Sequence, residues 1–252
     1  MENIFNIRTL AKGLRNRNGY MIFDDLIFRS GDISHASEKD LESLEKIQIK
    51  TVYDLRSRIE KDIYLTGYSF KVKHIEIFKE SRQNDFRKLL GMSKNHNEQF
   101  MLNLYGVEFV KSKKFCVLLK EIISREDKAF LFHCTAGKDR TGILGAILMM
   151  IFDFDIKSIE KEYLRIDRDM THIFTRKISV MLGSGSDEIP RNLEPLLLVK
   201  ASYIGAFISS ITSEYGDIDN YIRIGLGVSD KEKDLLKVRY LNLNESESKG
   251  AE

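Results

Sequence analysis

The strongest pattern in this chain lies in one short segment: Phe130-Leu-Phe-His-Cys134-Thr-Ala-Gly-Lys-Asp-Arg140-Thr-Gly142. The apolar run 129–132 is short and bounded by polar residues, which is typical of a buried parallel strand. The run 141–152 is longer and mostly apolar, which indicates a buried helix. The segment therefore predicts a strand, a loop at 133–139 and then a helix.

The loop at 133–139 has the features of a phosphate site. A loop that leads into a helix N-terminus directs several backbone N–H groups at one point and adds the positive end of the helix dipole. Gly137 allows the backbone to curl tightly, and the planar guanidinium of Arg140 can bind two phosphate oxygens at once. The predicted phosphate-binding residues beside Arg140 are Thr135, Ala136, Gly137, Lys138 and Thr141.

Cys134 is the predicted nucleophile of this loop. The positive field of the loop favours its thiolate over its thiol, the hydroxyl of Thr141 is placed to donate to that thiolate, and His133 would help to fix the loop. Attack on phosphorus would give a phosphocysteine whose charge is held by Arg140 and the loop N–H groups. A lone cysteine at a strand end is more often an inert core residue, but the residues that flank Cys134 favour catalysis.

Other phosphate and metal motifs are absent from the sequence. The pair Gly137-Lys138 is not part of a Walker A loop, because Phe132 stands in place of the earlier glycine and no Ser or Thr follows the lysine. The segments 183–185 and 225–227 lack the third glycine of a dinucleotide fingerprint. The 5 histidines show no metal-ligand spacing, so we predict neither a metal nor another cofactor.

The composition of the whole chain is that of a globular protein. It has 252 residues, and 40 Lys plus Arg against 38 Asp plus Glu give a net charge of +2, which argues against a nucleic-acid partner or a polybasic membrane binder. The longest apolar run, 143–152, is about half of the roughly 20 residues that cross a bilayer, and residues 1–3 show no secretory signal. Cys116 and Cys134 are expected as free thiols, Cys116 in a packing role, and the cytoplasm is the default location.

Local patterns predict further elements before the central segment. Residues 20–23 and 26–28 indicate a short hairpin or strand pair. Ser37 is typical of an N-cap, and it precedes a helix whose apolar face holds Leu41, Leu44 and Ile47. Residues 49–55 indicate a strand, and Ile75 and Ile77 mark another.

Helical patterns dominate the rest of the chain. Phe115, Leu118, Leu119 and Ile122 lie on one face of a predicted helix that ends at the turn 124–127. Residues 156–241 are mainly helical in pattern, broken near 183–186 and at the two prolines. We expect one domain over residues 1–241 and a disordered tail over 242–252.

The run His133–Gly142 resembles the signature of the cysteine-dependent protein tyrosine phosphatases, in particular that of a bacterial group. Residues 28–34 with 51–60, and residues 215–229, are also similar to that group. The resemblance implies an α/β fold, with a mostly parallel sheet flanked by helices and the catalytic loop between a central strand and a helix. It also implies a helix-rich C-terminal third, in which the stretch 156–199 would fold over the site; ordinary packing is the alternative.

The resemblance implies the substrates as well. In the bacterial group, a lysine at the position of Lys138 accompanies activity on phosphotyrosine, phosphoserine or phosphothreonine, and lipid phosphates. Lys138 would add a cation beside the scissile phosphate and favour phosphoinositides; the alternative is an ordinary exposed lysine. The expected partner is therefore a phosphorylated protein or a phosphoinositide, and the sequence indicates no oligomeric state.

The general acid has two candidates. Many tyrosine phosphatases supply it from a loop that carries Trp-Pro-Asp, but this chain has no tryptophan. The bacterial group suggests Asp139 inside the catalytic loop. Asp54, at the end of the predicted strand 51–55, is the second candidate, and its alternative role is to orient Lys138 or Arg56.

Three other functions remain as alternatives. One is a phosphatase dedicated to phosphoinositides or other small phosphate esters. Another is a non-catalytic phosphate-binding module, which the presence of both Cys134 and Arg140 disfavours because a binder need not keep the nucleophile. The third, arsenate or sulfur-transfer chemistry on a similar loop, is disfavoured by the pair Lys138-Asp139.

Overall fold

A five-stranded sheet forms the centre of the protein in a computed structural model, which describes residues 3–60, 69–78, 88–166 and 190–243. Its strand order is β1-β3-β6-β4-β5; β1 is antiparallel to β3, and the other neighbours are parallel. The strands are β1 (Arg8–Thr9), β3 (Ile27–Ser30), β4 (Thr51–Asp54), β5 (Lys71–His74) and β6 (Phe130–His133). A second sheet pairs β2 (Met21–Ile22) with β7 (Leu241–Asn242).

Helices cover both faces of the main sheet. They are α1 (Glu38–Lys46), α2 (Lys94–Asn103), α3 (Lys113–Ser124), α4 (Asp139–Ile151), α5 (Ile156–Leu164), α6 (Glu194–Leu197), α7 (Ala201–Tyr215), α8 (Ile218–Asn220) and α9 (Asp230–Tyr240). Two π-helical segments, Leu104–Phe109 and Tyr221–Gly225, and a 3-10 turn, Arg58–Glu60, complete the order. The predicted α/β fold with a mostly parallel sheet is confirmed, and the described part of the C-terminal third is mainly helical.

The central strand β6 is buried on both faces. Phe130 and Phe132 lie in the larger core cluster with helix α4, whereas Leu131 lies in a smaller cluster with helix α1. Successive side chains of a strand point to opposite faces, so an uninterrupted apolar run is what a strand covered by helices on both sides requires. The predicted order of strand, loop and helix is therefore observed, with bounds shifted by one or two residues.

The carboxyl ends of three parallel strands meet at one edge of the sheet. Ser30 and Asp54 are the register partners of His133 on either side of β6. The chain segments that follow these three residues therefore start next to one another. In open parallel sheets, ligands bind outside the carboxyl ends of the strands, and the loop that follows β6 lies at this edge.

Two local predictions are wrong. Residues 20–28 do not form a hairpin, because Met21 and Ile22 pair with Asn242 and Leu241 near the other end of the chain, while β3 pairs with β1 and β6. The second concerns the strand predicted at Ile75 and Ile77. Neither residue lies in a strand, because the nearby strand β5 ends at His74. That strand lies at the edge of the sheet and is largely exposed, so it lacks the apolar pattern of a buried strand.

Other local predictions are confirmed. Ser37 caps α1, accepting a hydrogen bond from the Asp40 N–H while the Asp40 side chain accepts one from the Ser37 N–H. The amphipathic helix α3 ends at Ser124, as predicted. Asn242, the first residue of the predicted tail, pairs with Met21, and the remainder of the tail from 244 lies outside the described residues.

The predicted covering stretch 156–199 is described only in part. Its first section forms α5, and residues 190–199 contain α6, while residues 167–189 lie outside the described residues. Among the helices within the described ranges, none is long and apolar enough to span a bilayer.

Candidate active site

The backbone carbonyls of the loop after β6 are turned toward the surrounding protein. The Cys134 carbonyl lies 3.2 Å from His133 Nδ1, the Thr135 carbonyl accepts from the Asp32 N–H at 3.0 Å, and the Gly137 carbonyl accepts from Asn6 Nδ2 at 3.0 Å. A trans peptide places its N–H opposite its C=O, so the following N–H groups face the other way. The loop thus forms a concave set of donors at the N-terminus of α4, an arrangement that suits an anion.

Gly137 is required at the tightest point of this loop. Its φ is +67°, a region that side chains with a Cβ rarely adopt, and a Cβ there would lie 2.5 Å from the Ser30 carbonyl oxygen. The loop therefore packs directly on the backbone that follows β3. Only glycine fits both the backbone angle and the contact.

Cys134 is the first residue of the loop, and its side chain is 2% exposed. Thr141 Oγ1, in the first turn of α4, is also buried and has no hydrogen-bond partner in the part of the chain that the structure describes. A buried hydroxyl without a partner is costly unless a ligand or an ion completes its hydrogen bonding. The predicted hydrogen bond from Thr141 to Cys134 is therefore not observed, and a bound phosphate would complete the hydrogen bonding of this hydroxyl.

Arg140 is fixed by a carboxylate from another segment of the chain. Its Nη1 and Nη2 donate to Glu60 Oε2 and Oε1, both at 2.6 Å. Glu60 also accepts from Thr135 Oγ1 at 2.6 Å and from the Ser57 N–H at 2.8 Å. Burial opposes the charge of Glu60, but Arg140 outweighs it and lowers the pKa of that carboxyl to about 2. The guanidinium plane is therefore held in one orientation beside the loop.

Asp139 stands at the other side of the loop mouth in a chain of hydrogen bonds. Tyr105 donates its hydroxyl proton to Asp139 Oδ1 at 2.7 Å, and Tyr163 donates to the Tyr105 oxygen at 2.9 Å. Lys138 Nζ lies 2.7 Å from Asp139 Oδ2 and 2.9 Å from Oδ1. Burial, followed by the charge of Asp139, raises the pKa of Tyr105 well above its usual value, so Tyr105 stays a proton donor.

Asp54 is buried behind the loop. Arg56 donates from Nε and Nη2 to its two oxygens, both at 3.0 Å, and its Oδ1 lies 3.9 Å from His133 Nε2. Burial opposes ionisation, but the paired Arg56 guanidinium outweighs it and holds the pKa of Asp54 at about 2. Burial lowers the pKa of His133, which favours a neutral ring whose Nδ1–H donates to the Cys134 carbonyl.

The structure brings most of the sequence-predicted residues into one place. Cys134, the loop 135–138, Arg140 and Thr141 lie together between β6 and the first turn of α4, and the side chain of Asp139 is partly exposed. Asp54 contacts Arg56 and not Lys138, whose amino group pairs with Asp139. Lys138 is buried, in contrast to the alternative of an ordinary exposed lysine.

Sequence reasoning missed four residues of this site: Glu60, Tyr105, Tyr163 and Arg29. Glu60 stood in a stretch that resembles the bacterial phosphatases, but nothing in its local pattern links it to Arg140. The other three lie in ordinary strand or helix sequence. Within the described ranges, no group of three or more His, Cys, Asp or Glu side chains is placed to hold a metal ion.

Comparison with known proteins shows the family to which the chain belongs. The model of the tyrosine phosphatase family matches residues 1–242, and the chain therefore belongs to that family. A protein of Cupriavidus necator whose name assigns it to the tyrosine-protein phosphatases is 31% identical over 90% of this chain and 83% of its own length. The triple specificity protein phosphatase PtpB of Mycobacterium tuberculosis is 24% identical over 78% of this chain and 84% of its own. The resemblance found in the sequence is confirmed.

Solved phosphatase structures also match parts of the chain. TpbA of P. aeruginosa, in complex with phosphotyrosine, covers 56% of this chain and 68% of its own with a TM-score of 0.32 and 16% identity. The core catalytic domain of the PP-IP phosphatase SIW14 from S. cerevisiae covers 68% of this chain and 95% of its own with a TM-score of 0.35 and 12% identity.

Proposed function

We propose that this protein hydrolyses phosphate monoesters through a phosphocysteine on Cys134. The observation that carries the proposal is the loop around Cys134, whose carbonyls are bound from outside while Glu60 holds Arg140 at its edge. This arrangement offers several N–H donors and one planar cation to a phosphoryl group placed above the sulfur.

The first step transfers the phosphoryl group to the enzyme. The Cys134 thiolate forms an S–P bond while the bond from phosphorus to the leaving oxygen breaks, and that oxygen takes a proton from the general acid. In the second step, water attacks phosphorus, the S–P bond breaks and the thiolate returns with inorganic phosphate. Arg140 and the loop N–H groups stabilise the charge on the equatorial oxygens in both steps.

Asp139 is the proposed general acid. It lies at the open side of the loop, partly exposed, where a leaving oxygen can reach it. Asp54 is a poor candidate because it is buried, it is bound by Arg56 through both oxygens, and its pKa of about 2 makes it a carboxylate at neutral pH. We assign Asp54 instead to holding Arg56 and His133 beneath the loop.

The proposed substrates are phosphotyrosine proteins and phosphoinositides, with phosphoserine and phosphothreonine as further candidates. Lys138 supports a highly charged substrate. Its ammonium lies in the loop beside Asp139, where it would add positive charge next to the scissile phosphate. The name of the mycobacterial relative, a triple specificity phosphatase, agrees with broad specificity.

Phosphate release from a phosphotyrosine peptide and from a panel of phosphoinositides tests this function. The assay compares wild type, Cys134→Ser and the matched variant Cys116→Ser under reducing conditions. Cys116 is the other free cysteine and lies on α3, where its thiol contacts the Gly225 carbonyl at 3.4 Å. We expect release from both substrates, loss of release in Cys134→Ser, and retention of release in Cys116→Ser.

The remaining outcomes distinguish the alternatives. Release from phosphoinositides alone would identify a dedicated lipid phosphatase. No release from either substrate, with tight binding of both retained, would identify a phosphate-binding module. Full activity of Cys134→Ser would exclude the phosphocysteine.

A further inference from the structure

A buried arginine reaches the catalytic loop from behind. Arg29 belongs to β3 and is 1% exposed, and its Nη2 donates to the Gly137 carbonyl at 2.9 Å. Its Nη1 donates to Glu162 Oε1 on α5 at 3.3 Å. A buried guanidinium is costly unless it is paired and hydrogen-bonded. Here, one of its hydrogen bonds goes to the backbone of the loop itself.

Two glycines of helix α4 let neighbouring side chains, including Arg29, approach its backbone. A Cβ on Gly145 would lie 3.1 Å from Leu10 Cδ1 and 3.4 Å from Arg29 Nη1, and a Cβ on Gly142 would lie 3.0 Å from the Tyr163 ring and 3.9 Å from Arg29 Nη2. Residues three apart share a helix face, so the two glycines form one groove. Because each glycine in a helix interior costs about 1 kcal/mol relative to alanine, two of them on this face indicate a packing requirement.

The contact with the Gly137 carbonyl controls a donor of the anion site. The Gly137–Lys138 peptide is trans and planar, and its carbonyl is held by Arg29 and by Asn6 Nδ2. The Lys138 N–H is therefore turned away from Arg29 and toward the concave side of the loop. Rotation of this peptide would remove one N–H from the phosphate site.

We propose that Arg29, paired with Glu162 in the groove of Gly142 and Gly145, is a positioning residue of the phosphatase reaction that keeps the Lys138 N–H directed at the transferring phosphoryl group. This inference rests on the proposed role of the loop. Arg29 acts through the loop backbone and does not touch the substrate. Oxygens on phosphorus gain charge in the transition state, so this donor contributes more to turnover than to substrate binding.

Two variants of Arg29 test the proposal. Arg29→Met removes the guanidinium, and Arg29→Lys keeps the charge but cannot span Glu162 and the Gly137 carbonyl with a planar fork. We expect Arg29→Met to lower kcat by about ten- to a hundredfold, with a smaller change in KM; this is less than the roughly hundred- to thousandfold cost of removing a preorganised donor, because the Lys138 N–H is misdirected and not removed. Inhibition by vanadate, which mimics pentacoordinate phosphorus, should weaken in parallel, and Arg29→Lys should be intermediate.

Arg125 provides a matched control at the other end of β6. It is also buried, it pairs with Asp127 at 2.7 Å, and its Nη2 donates to the Ala129 carbonyl at 2.9 Å. Ala129 immediately precedes β6, whereas the catalytic loop follows that strand. Arg125→Met should therefore lower the unfolding temperature while kcat and vanadate inhibition stay near wild type at temperatures where the protein is folded.

The control Cys134→Ser, measured in the same assay, separates failure of the Arg29 proposal from failure of the proposed phosphatase function. If it abolishes activity and Arg29→Met, shown by circular dichroism to be folded, retains kcat within about twofold, Arg29 is only structural and the proposal is overturned. The same holds if Arg125→Met lowers kcat as much as Arg29→Met. If Cys134→Ser remains active, the proposed function itself has failed. Should Arg29→Met not fold, the same criteria apply to Arg29→Lys.

Discussion

Two aspartates that look interchangeable in the sequence have opposite environments in the structure. Asp54 is buried and bound through both oxygens by Arg56, which keeps it ionised. Asp139 lies at the mouth of the loop, where Tyr105 and Lys138 hold it in one orientation. When one site holds two carboxyl groups, their different environments give them different roles. The buried, paired Asp54 suits a structural role, and Asp139 at the loop mouth suits the role of the acid.

Replacement of Asp139 should therefore slow the reaction according to the leaving group. Asp139→Asn is expected to lower kcat/KM by about a hundredfold or more for phosphotyrosine and other poor leaving groups, the usual contribution of a general acid, and to have little effect on strongly acidic phenols that leave without a proton. Rates for a series of aryl phosphates measure this dependence. Asp54→Asn is the comparison and should lower all rates by a similar factor; an equally uniform loss in Asp139→Asn would contradict the assignment.

At the scale of a single element, the loop after β6 depends on contacts made by its backbone. The Thr135 and Gly137 carbonyls are bound from outside, and Gly137 packs on the Ser30 carbonyl. A short segment of strand, loop and helix cannot supply these contacts from within. The geometry of the loop is therefore set by β3 and by the residues that follow it.

Gly137→Ala should damage both the loop and catalysis, and Gly13→Ala is its control. Both glycines have positive φ, +67° and +74°, but a Cβ on Gly13 would meet nothing within 4 Å. Gly13→Ala should cost about 1–2 kcal/mol of unfolding free energy from backbone strain alone, with kcat unchanged. Gly137→Ala adds a steric clash, so we expect a larger loss of stability together with a loss of kcat of at least tenfold. Urea unfolding and steady-state kinetics measure the two effects, and equal behaviour of the two variants would show that the close contact is unimportant.

At the scale of the whole molecule, the site is the meeting point of three parallel strands. Ser30, His133 and Asp54 share one level at the carboxyl edge of the sheet, and the segments that follow them provide the loop contacts, Cys134 and Glu60. This convergence buries several charged groups together. Stability and activity are therefore linked through the same ion pairs.

Acid should destabilise the protein through Glu60 and Asp54. Both carboxyls have folded-state pKa values of about 2, below their usual values of 4.5 and 3.8, because Arg140 and Arg56 outweigh the effect of burial. Their contribution is therefore complete above about pH 5 and is lost as the pH falls toward 2. Thermal unfolding measured between pH 6 and 2.5 should show a steep fall in Tm as the pH decreases. The fall should be shallower in Glu60→Gln, because the Glu60 carboxylate contributes on the order of 2 kcal/mol to the unfolding free energy. An unchanged slope in Glu60→Gln would exclude this pair as a source of acid sensitivity.

Features formed by residues close together in the sequence could be predicted, whereas features formed by distant segments could not. The strand, loop and helix at 130–151 could be predicted because apolar periodicity and a phosphate-loop pattern are both local signals. The cap at Ser37 was predictable for the same reason, since its partner is Asp40. The pairing of Met21 with Asn242 and the exposed strand β5 were not, because a partner on a distant segment and an edge position leave no mark on nearby residues.

By itself, the sequence determined the α/β class and the run of residues that forms the proposed anion site with Cys134 and Arg140, because these groups lie in one continuous segment. Only the tertiary structure decided which side chains hold that segment in place. Glu60 lies 80 residues from Arg140, and Arg29 lies 108 residues from Gly137. Such contacts depend on which strands are neighbours and in what register, and strand order is a property of the folded sheet that no local pattern records.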